Sequence, residues 1–404
     1  MLRQVDVDRL SLGMYVAELD RPWLETPFTV QGFYLRTLED IRQVADLCSV
    51  VMVDPRRYDP QIAEAAGVAA CDAPAEVTFE PGQPVVPSDR YRDIKKLEEE
   101  LPAAKQALSA GVGAFEDFWS ELTSRRQVPV ESLKAAVDPL VSSILRNKDA
   151  LVTLMRVQHF DRNTHEHCMA LAVWGSLLGR QLGLSPDQIR NLALGCSLVD
   201  IGKIEVPKEM LYKAGKLTPE EYQTVKSHVV HSLQMVDEMG APEEVVNTVR
   251  WHHERLNGSG YPDGLKGDEI PMFARIAGIV DSYDAMISPR VYAETASSYQ
   301  AMVELQKSCP ELFQTELVEL FAQSIGLFPN GALVELSTGE VGVVCGQNPG
   351  RRLRPKVMLI LDGDKEPRDD LLIVDLKVAA EQEVRISREL ARNEYGIDAA
   401  EYFL

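Results

Sequence analysis

The chain has 404 residues, 45% of them hydrophobic and 26% charged, which supplies two or three globular domains and excludes a wholly disordered polypeptide. With 62 Asp and Glu against 42 Lys and Arg, the formal charge of -20 argues against a broad basic surface for duplex nucleic acid or acidic lipid, so a phosphate-bearing ligand needs a local source of positive charge. The six cysteines form no Cys-x-x-Cys pair, no apolar signal segment follows Met1, and no uncharged run approaches the roughly 18 apolar residues of a membrane span. A cytoplasmic protein without direct membrane insertion is expected.

In chain order, residues 1–65 hold short β-prone runs, Phe28-Thr29-Val30 and Val50-Val51-Met52-Val53, with a helical stretch from Leu38 to Leu47. They predict a small α+β module with a regulatory role. Residues 66–90, punctuated by Pro74, Pro81, Pro84 and Pro87, read as a linker or an exposed loop. Connecting helices are expected over 91–149. Apolar residues recur at helical spacing from Tyr91 to Arg126 and from Val130 to Val157, as in Leu133, Ala136, Val137, Leu140, Val141 and Ile144. The run Glu98-Glu99-Glu100 reads as a solvated face. Helical patterning fills 150–328, broken by Gly and Pro at 183–186, 240–242 and 257–271. Beyond Pro329 the period shortens to strands at Ala332–Leu336, Val341–Val344 and Val357–Leu361, which predict a small β-sheet with a tail over 329–404.

Six of the seven histidines fall between His165 and His253, and His252 and His253 are adjacent. A single histidine is more often structural than ligating. Two carboxylates change the balance. Asp200 ends the apolar run Leu192–Val199, and Asp281 follows Ala274–Val280, each where a helix should face a core and an unpartnered charge is expensive. A cation shared by Asp200, Asp281 and several histidines accounts for both, and such a shell suits iron, manganese, zinc or nickel better than calcium. The alternative is that each Asp is ion-paired, for instance Asp281 with Arg275, or caps a helix. After His252-His253 comes Glu254-Arg255-Leu256-Asn257-Gly258-Ser259-Gly260-Tyr261-Pro262-Asp263-Gly264-Leu265. Its glycines allow close backbone approach, its amides suit a phosphate and Tyr261 suits a base. It reads equally as a sharp connection between helices.

These motifs, with Asp200-Ile201-Gly202-Lys203 upstream and Arg275-Ile276 to Asp281-Ser282-Tyr283-Asp284-Ala285 downstream, resemble the HD-GYP family of the HD phosphohydrolase superfamily. The resemblance is dense over about 150–325 and weaker in the flanking segments. It implies a multidomain chain in which an all-α HD-GYP helical domain is flanked by the N-terminal α+β module and the C-terminal β segment. It also implies a cyclic di-GMP signalling protein that hydrolyses this nucleotide, or a related one, to pGpG or GMP with one or two divalent transition metal ions, iron or manganese favoured.

Carried over by position, the family's metal ligands fall on His167, Asp200, His228, His252, His253 and Asp281, with Asp200 bridging two metals. Lys203 falls on the lysine that serves a phosphate oxygen or the leaving group, and Arg290 on a phosphate-binding arginine. Gly258, Gly260, Tyr261 and Pro262 form the substrate loop, and Asp284, one turn after Asp281, supports the ligands from behind. Three departures stand out. Val199 occupies the position of the histidine in the His-Asp pair. Asn163 stands where a subset has a glutamate for a further metal. Pro289, Val291 and Ala293 differ from the usual phosphate-binding segment.

Two readings of different class are open. One is a slow phosphodiesterase whose impaired site is completed by water, His165 or His231. The other is a catalytically degenerate member that binds nucleotide or protein partners of cyclic di-GMP signalling. A homodimer remains open.

Overall fold

Near the start of the chain, β1 (Arg3–Asp6), β2 (Tyr15–Leu19), β3 (Phe33–Tyr34) and β4 (Val50–Val53) pair into an antiparallel sheet in the order β1-β4-β2-β3, with α1 (Leu38–Leu47) preceding β4. Val51 and Val53 are buried while Val50 and Met52 are half-buried, the period-2 alternation of a strand with one face on a core. That core gathers Val16, Leu35, Val44, Cys48, Val51 and Val53. The computed structural model describes residues 2–7, 10–11, 13–20, 33–35, 38–57, 77–79, 85–88, 90–125, 128–157, 164–213, 215–288, 296–348, 353–378, 384–391 and 394–402. The strand expected at Phe28-Thr29-Val30 and most of the expected linker lie outside these residues. One compact unit comprises Met1–Arg92 with Arg180–Ser185, and a second comprises Asp93–Gly179 with Pro186–Leu404.

In the second unit the helices are α2 (Leu97–Arg125), α3 (Val130–Arg146), α4 (Lys148–Val157), α5 (Thr164–Gln181), α6 (Pro186–Leu198), α7 (Lys208–Leu211), α8 (Pro219–Lys226), α9 (His228–Glu238), α10 (Glu243–Trp251), α11 (Met272–Ile287), α12 (Ser298–Lys307) and α13 (Thr315–Ile325). The periodic stretch from Val130 to Val157 is two helices. Asn147 leaves α3 in an extended conformation, and its side-chain oxygen accepts the N–H groups of Asp149 and Ala150 at 3.0 and 3.1 Å, capping α4. The acidic run at the start of α2 also departs from expectation. Glu98 and Glu99 are exposed, but Glu100 is fully buried. Its carboxylate accepts two hydrogen bonds from Arg146, at 2.6 and 2.8 Å, and one from Ser143 at 3.0 Å, so a charge that reads as solvated is a buried, fully partnered one.

The C-terminal segment is a five-stranded antiparallel sheet of β5 (Leu333–Leu336), β6 (Val341–Gly346), β7 (Lys356–Leu361), β8 (Pro367–Asp375) and β9 (Ile386–Glu389), in the order β8-β7-β6-β5-β9. Alternate residues feed two clusters, one containing Val334, Leu336, Val344, Val357 and Leu359 and the other Leu333, Val341, Val343, Ile360 and Leu361. The chain is thus multidomain, an all-α domain with an α+β module before it and a β segment after it.

One polar knot joins this sheet to the helices. Arg156 at the end of α4 bonds Glu389 at the end of β9 and donates to Ser298 Oγ at 2.6 Å, while Tyr283 of α11 donates to the same hydroxyl at 3.0 Å. The Glu389 side chain is only 3% exposed, so the pair is shielded from solvent. Glu389→Ala leaves a guanidinium without its carboxylate. It is expected to lower stability by about 1–3 kcal/mol, the scale for a lost hydrogen bond to a charged group, read as a lower thermal midpoint; an unchanged midpoint would show that the knot contributes nothing.

Candidate metal centre

Five segments bring the ionisable residues together: the start of α5 (His167), the turn after α6 (Asp200), the start of α9 (His228), the end of α10 (His252, His253) and the middle of α11 (Asp281). Close approach of two of these segments requires a missing side chain. A Cβ on Gly202 would lie 2.1 Å from the His228 carbonyl oxygen, so only glycine lets the Asp200 turn sit against α9. The turn is fixed further by Ser232, which accepts from the Gly202 N–H at 2.9 Å and donates to the Val199 carbonyl at 2.9 Å.

The six residues form two overlapping groups. Ligand atoms of Asp200, His228, His252 and His253 lie within 4.8 Å of one another, and so do those of His167, Asp200 and Asp281. Asp200 belongs to both. Its Oδ1 is 3.4 Å from His228 Nε2, and its Oδ2 is 3.2 Å from His167 Nε2 and bonded to Lys203 Nζ. Asp281 Oδ1 is 3.4 Å from His167 Nε2. Asp200, His228 and His252 are buried, whereas the side chains of His167 and Asp281 are 18% and 14% exposed, which gives the centre a dry floor and an open side.

Imidazole geometry decides what the floor can bind. His228 Nδ1 lies 2.7 Å from the Val225 carbonyl oxygen, and His252 Nδ1 2.7 Å from that of Val249. A carbonyl only accepts, so each Nδ1 carries the hydrogen, and in the neutral ring each Nε2 keeps a lone pair. Among the described residues, neither Nε2 finds a hydrogen-bond partner, although both are buried. Buried unpaired polar atoms are rare because they cost stability, and a divalent cation satisfies both at once. Ionisation points the same way. Burial, and then His228, pulls His252 down to about 4, and burial, and then His252, lowers His253 well below the usual imidazole value. Both are neutral at pH 7.

The open side is richer in negative charge. His167 donates from Nδ1 to Asp284 Oδ2 at 2.7 Å, and Trp174 Nε1 fixes the other Asp284 oxygen at 3.0 Å. Burial opposes charge on His167, but hydrogen bonds with Asp200, Asp281 and Asp284 outweigh it and hold its pKa well above the ordinary value. Burial likewise disfavours the Asp200 carboxylate, yet Lys203 and His167 keep it ionised far below the usual range. Lys203 stays protonated because Asp200 and Asp281 outweigh its burial. Three carboxylates around one imidazole make this side, too, a place that demands positive charge. Arg275, by contrast, bonds Asp268, Gln314 and the Ile270 carbonyl, and no ion pair joins it to Asp281 among the described residues.

The loop after His253 is held by a residue that sequence reasoning passed over. Glu254 is buried and accepts the backbone N–H groups of Asp263, Gly264 and Leu265 at 2.7, 3.0 and 3.1 Å. Its position between His253 and the Asp263-Gly264 turn was the available signal. Gly258 has a φ of +78°, and a Cβ on Gly260 would lie 2.4 Å from Glu254 Cα, so the loop folds directly onto the end of α10. Tyr261 stacks on His253 with ring centroids 4.6 Å apart, and Pro262 is exposed beside it. Asn163, Arg290, Val291 and Ala293 lie outside the described residues, as does the His165 side chain. His231, on α9, joins neither ligand group.

Known proteins share this arrangement of segments. A family model described as an HD domain matches residues 139–314, one described as a domain of unknown function (DUF3391) matches 2–133, and one described as a KOW domain associated with HD domain matches 333–397. A cyclic di-GMP phosphodiesterase of Pseudomonas aeruginosa is 30% identical over 379 residues, covering 93% of this chain and 89% of that protein. The chain belongs to the HD-GYP family. A second relative, a cyclic di-GMP phosphodiesterase of Thermotoga maritima, is 34% identical over 41% of this chain and 46% of its own length. A 3'3'-cGAMP-specific phosphodiesterase of Vibrio cholerae is 31% identical over 41% of this chain and 32% of its own. HD phosphohydrolase domains bind divalent metals, and the His/Asp cluster of this HD-GYP chain could hold them.

Glu254→Gln removes the negative charge and replaces one of the two acceptor oxygens with an NH2 donor, while keeping the side-chain length. Faster hydrogen exchange at the amides of Asp263, Gly264 and Leu265, with exchange in α3 unchanged, is the expected outcome; equal exchange at these amides in both proteins would mean that the loop is held by something else.

Proposed function

We propose that this chain is a metal-dependent phosphodiesterase that hydrolyses cyclic di-GMP to pGpG or GMP, at a rate reduced by the Val199 position. The observation that carries the reading is the pair of buried, unpartnered Nε2 atoms on His228 and His252, held by their Nδ1 hydrogen bonds toward a shared carboxylate. His228, His252, His253 and Asp200 would hold one divalent ion, with His167, Asp281 and the other Asp200 oxygen holding a second. Imidazole and carboxylate donors favour iron or manganese, with zinc or nickel as alternatives. Bound there, such ions supply Lewis acidity and water of lowered pKa.

The chain's own residues do the rest. Asp200 belongs to both groups and would be shared by the ions they hold, and Asp284 fixes the His167 ring so that Nε2 faces inward. Lys203, kept cationic, is suited to a non-bridging phosphate oxygen or to protonating the leaving oxygen. Arg290 is assigned to the phosphate as well. Gly258, Gly260, Tyr261 and Pro262 form the wall on which the nucleotide lies. Region 1–65 is read as regulatory, a linker at 66–90 and helices at 91–149 lead to a catalytic domain of 150–328, and a small β-sheet with a tail follows at 329–404.

Val199 limits the activity. It directly precedes Asp200 and is fully buried, and its isopropyl group offers no electron pair. The His167 group therefore has two ligands of its own plus a share of Asp200, one imidazole short of the alternative with histidine at 199. The same residue is the specific observation favouring a second reading, a non-catalytic regulator that binds cyclic di-GMP or a related nucleotide and a protein partner.

His252→Ala is expected to lower the transition metal retained through purification, measured by elemental analysis; equal metal in both proteins would refute the ligand assignment. Hydrolysis of cyclic di-GMP is expected below about 1 per second, the lower end of ordinary enzyme turnover, and Val199→His is expected to raise both metal per chain and cleavage. Unchanged metal and unchanged cleavage in a folded Val199→His variant would show that residue 199 does not face the site.

A further inference from the structure

Cations close to the metal centre are mostly committed. Lys203 bonds Asp200, Arg250 pairs with Asp263 at 3.0 Å, Lys213 pairs with Glu221 at 2.6 Å, and Arg255 donates to the carbonyls of His252 and Glu254. Lys226 is different. It is the last residue of α8, two positions before His228, and among the described residues no carboxylate lies in ion-pair range of its ammonium group. Two aromatic rings hold that group instead. Lys226 Nζ is 4.7 Å from the ring centroid of Tyr222 and 4.6 Å from that of Tyr261, and Tyr261 is the ring that stacks on His253.

A cation over aromatic faces is fixed in position while its formal charge remains uncancelled. In a chain of net charge -20, an ammonium group left unneutralised beside a metal centre is conspicuous. A lysine serving only to cover apolar surface would bury its stem and turn its head to water. Here the head itself sits against the loop that borders the site. We propose that Lys226 is a phosphate-contacting residue of the substrate site, positioned by Tyr222 and Tyr261 to bind the phosphodiester of a cyclic dinucleotide next to His253. The inference rests on the function proposed above and adds a contact on the α8 side of the centre, separate from Lys203. It also gives Tyr222, a half-exposed ring with no other evident task, the role of holding the lysine head in place.

The test is equilibrium binding of cyclic di-GMP to the full chain as purified, at two salt concentrations, with metal content measured in parallel. Lys226→Met keeps the length and apolar stem of the side chain and removes its charge. It is expected to retain metal and to weaken binding by about tenfold or more, the scale of one hydrogen bond to a charged group, with a shallower dependence on salt. Lys226→Arg, which keeps the charge, is expected to recover most of the affinity. Binding by Lys226→Met within about twofold of the unchanged protein, or Lys226→Arg as weak as Lys226→Met, would overturn the assignment while leaving the functional reading intact. Absence of cyclic di-GMP binding in the unchanged protein would overturn the functional reading, and this inference with it.

Discussion

Two hydrogen bonds organise the centre. His228 and His252 each give an Nδ1 hydrogen to a carbonyl three residues earlier, Val225 and Val249, and that donation leaves both Nε2 lone pairs aimed into a buried space shared with Asp200. Reversing either tautomer would put a hydrogen where the electron pair is needed. Helix geometry makes the arrangement possible, because residues three apart lie on one face and the side chain leans back over the preceding turn. Burial then keeps His252 neutral, and the absent side chain at Gly202 lets the Asp200 turn close on α9. On the open side, His167, Asp281 and Lys203 are arranged around the Asp200 carboxylate that this floor holds in place.

The two halves differ in their chemistry. The floor has three imidazoles and one carboxylate, a donor set that is complete for one divalent ion. The open side has one imidazole among three carboxylates, Asp200, Asp281 and Asp284, with Lys203 adding its own charge. Val199, beside Asp200, contributes bulk and nothing to coordination. Under the function proposed above, unequal affinity for two ions is the physical consequence. The loop after His253 is built on the floor side: Glu254 pins the turn at Asp263–Leu265, Tyr261 lies on His253, and Lys226 lies on Tyr261.

Much of this was legible in the sequence because it depends on local spacing. The helical period marked α2 and the helices through α13, and the valine runs marked β4 to β7. The His and Asp residues stood out because charge and imidazole at the ends of apolar runs need a reason to be there. Features set by distant partners were not legible. Glu100 looks solvated until Arg146, 46 residues away, is folded against it. Asn147 splits one periodic stretch into two helices because its side chain caps the second. β8 and β9 escaped notice because Arg368, Asp370, Arg388 and Glu389 break the apolar alternation of these outer strands. Glu254 was hidden for another reason, since its three partners are backbone amides that carry no sequence signature.

Unequal holding of two divalent ions is the property on which the functional reading turns. Titration of Mn²⁺ into chelator-stripped protein, with the free ion followed by its electron paramagnetic resonance signal, measures it directly. One ion bound tightly and a second bound at least about tenfold more weakly, the scale of a disturbed ligand environment, is the predicted result. Two ions of equal affinity, or none, would contradict it.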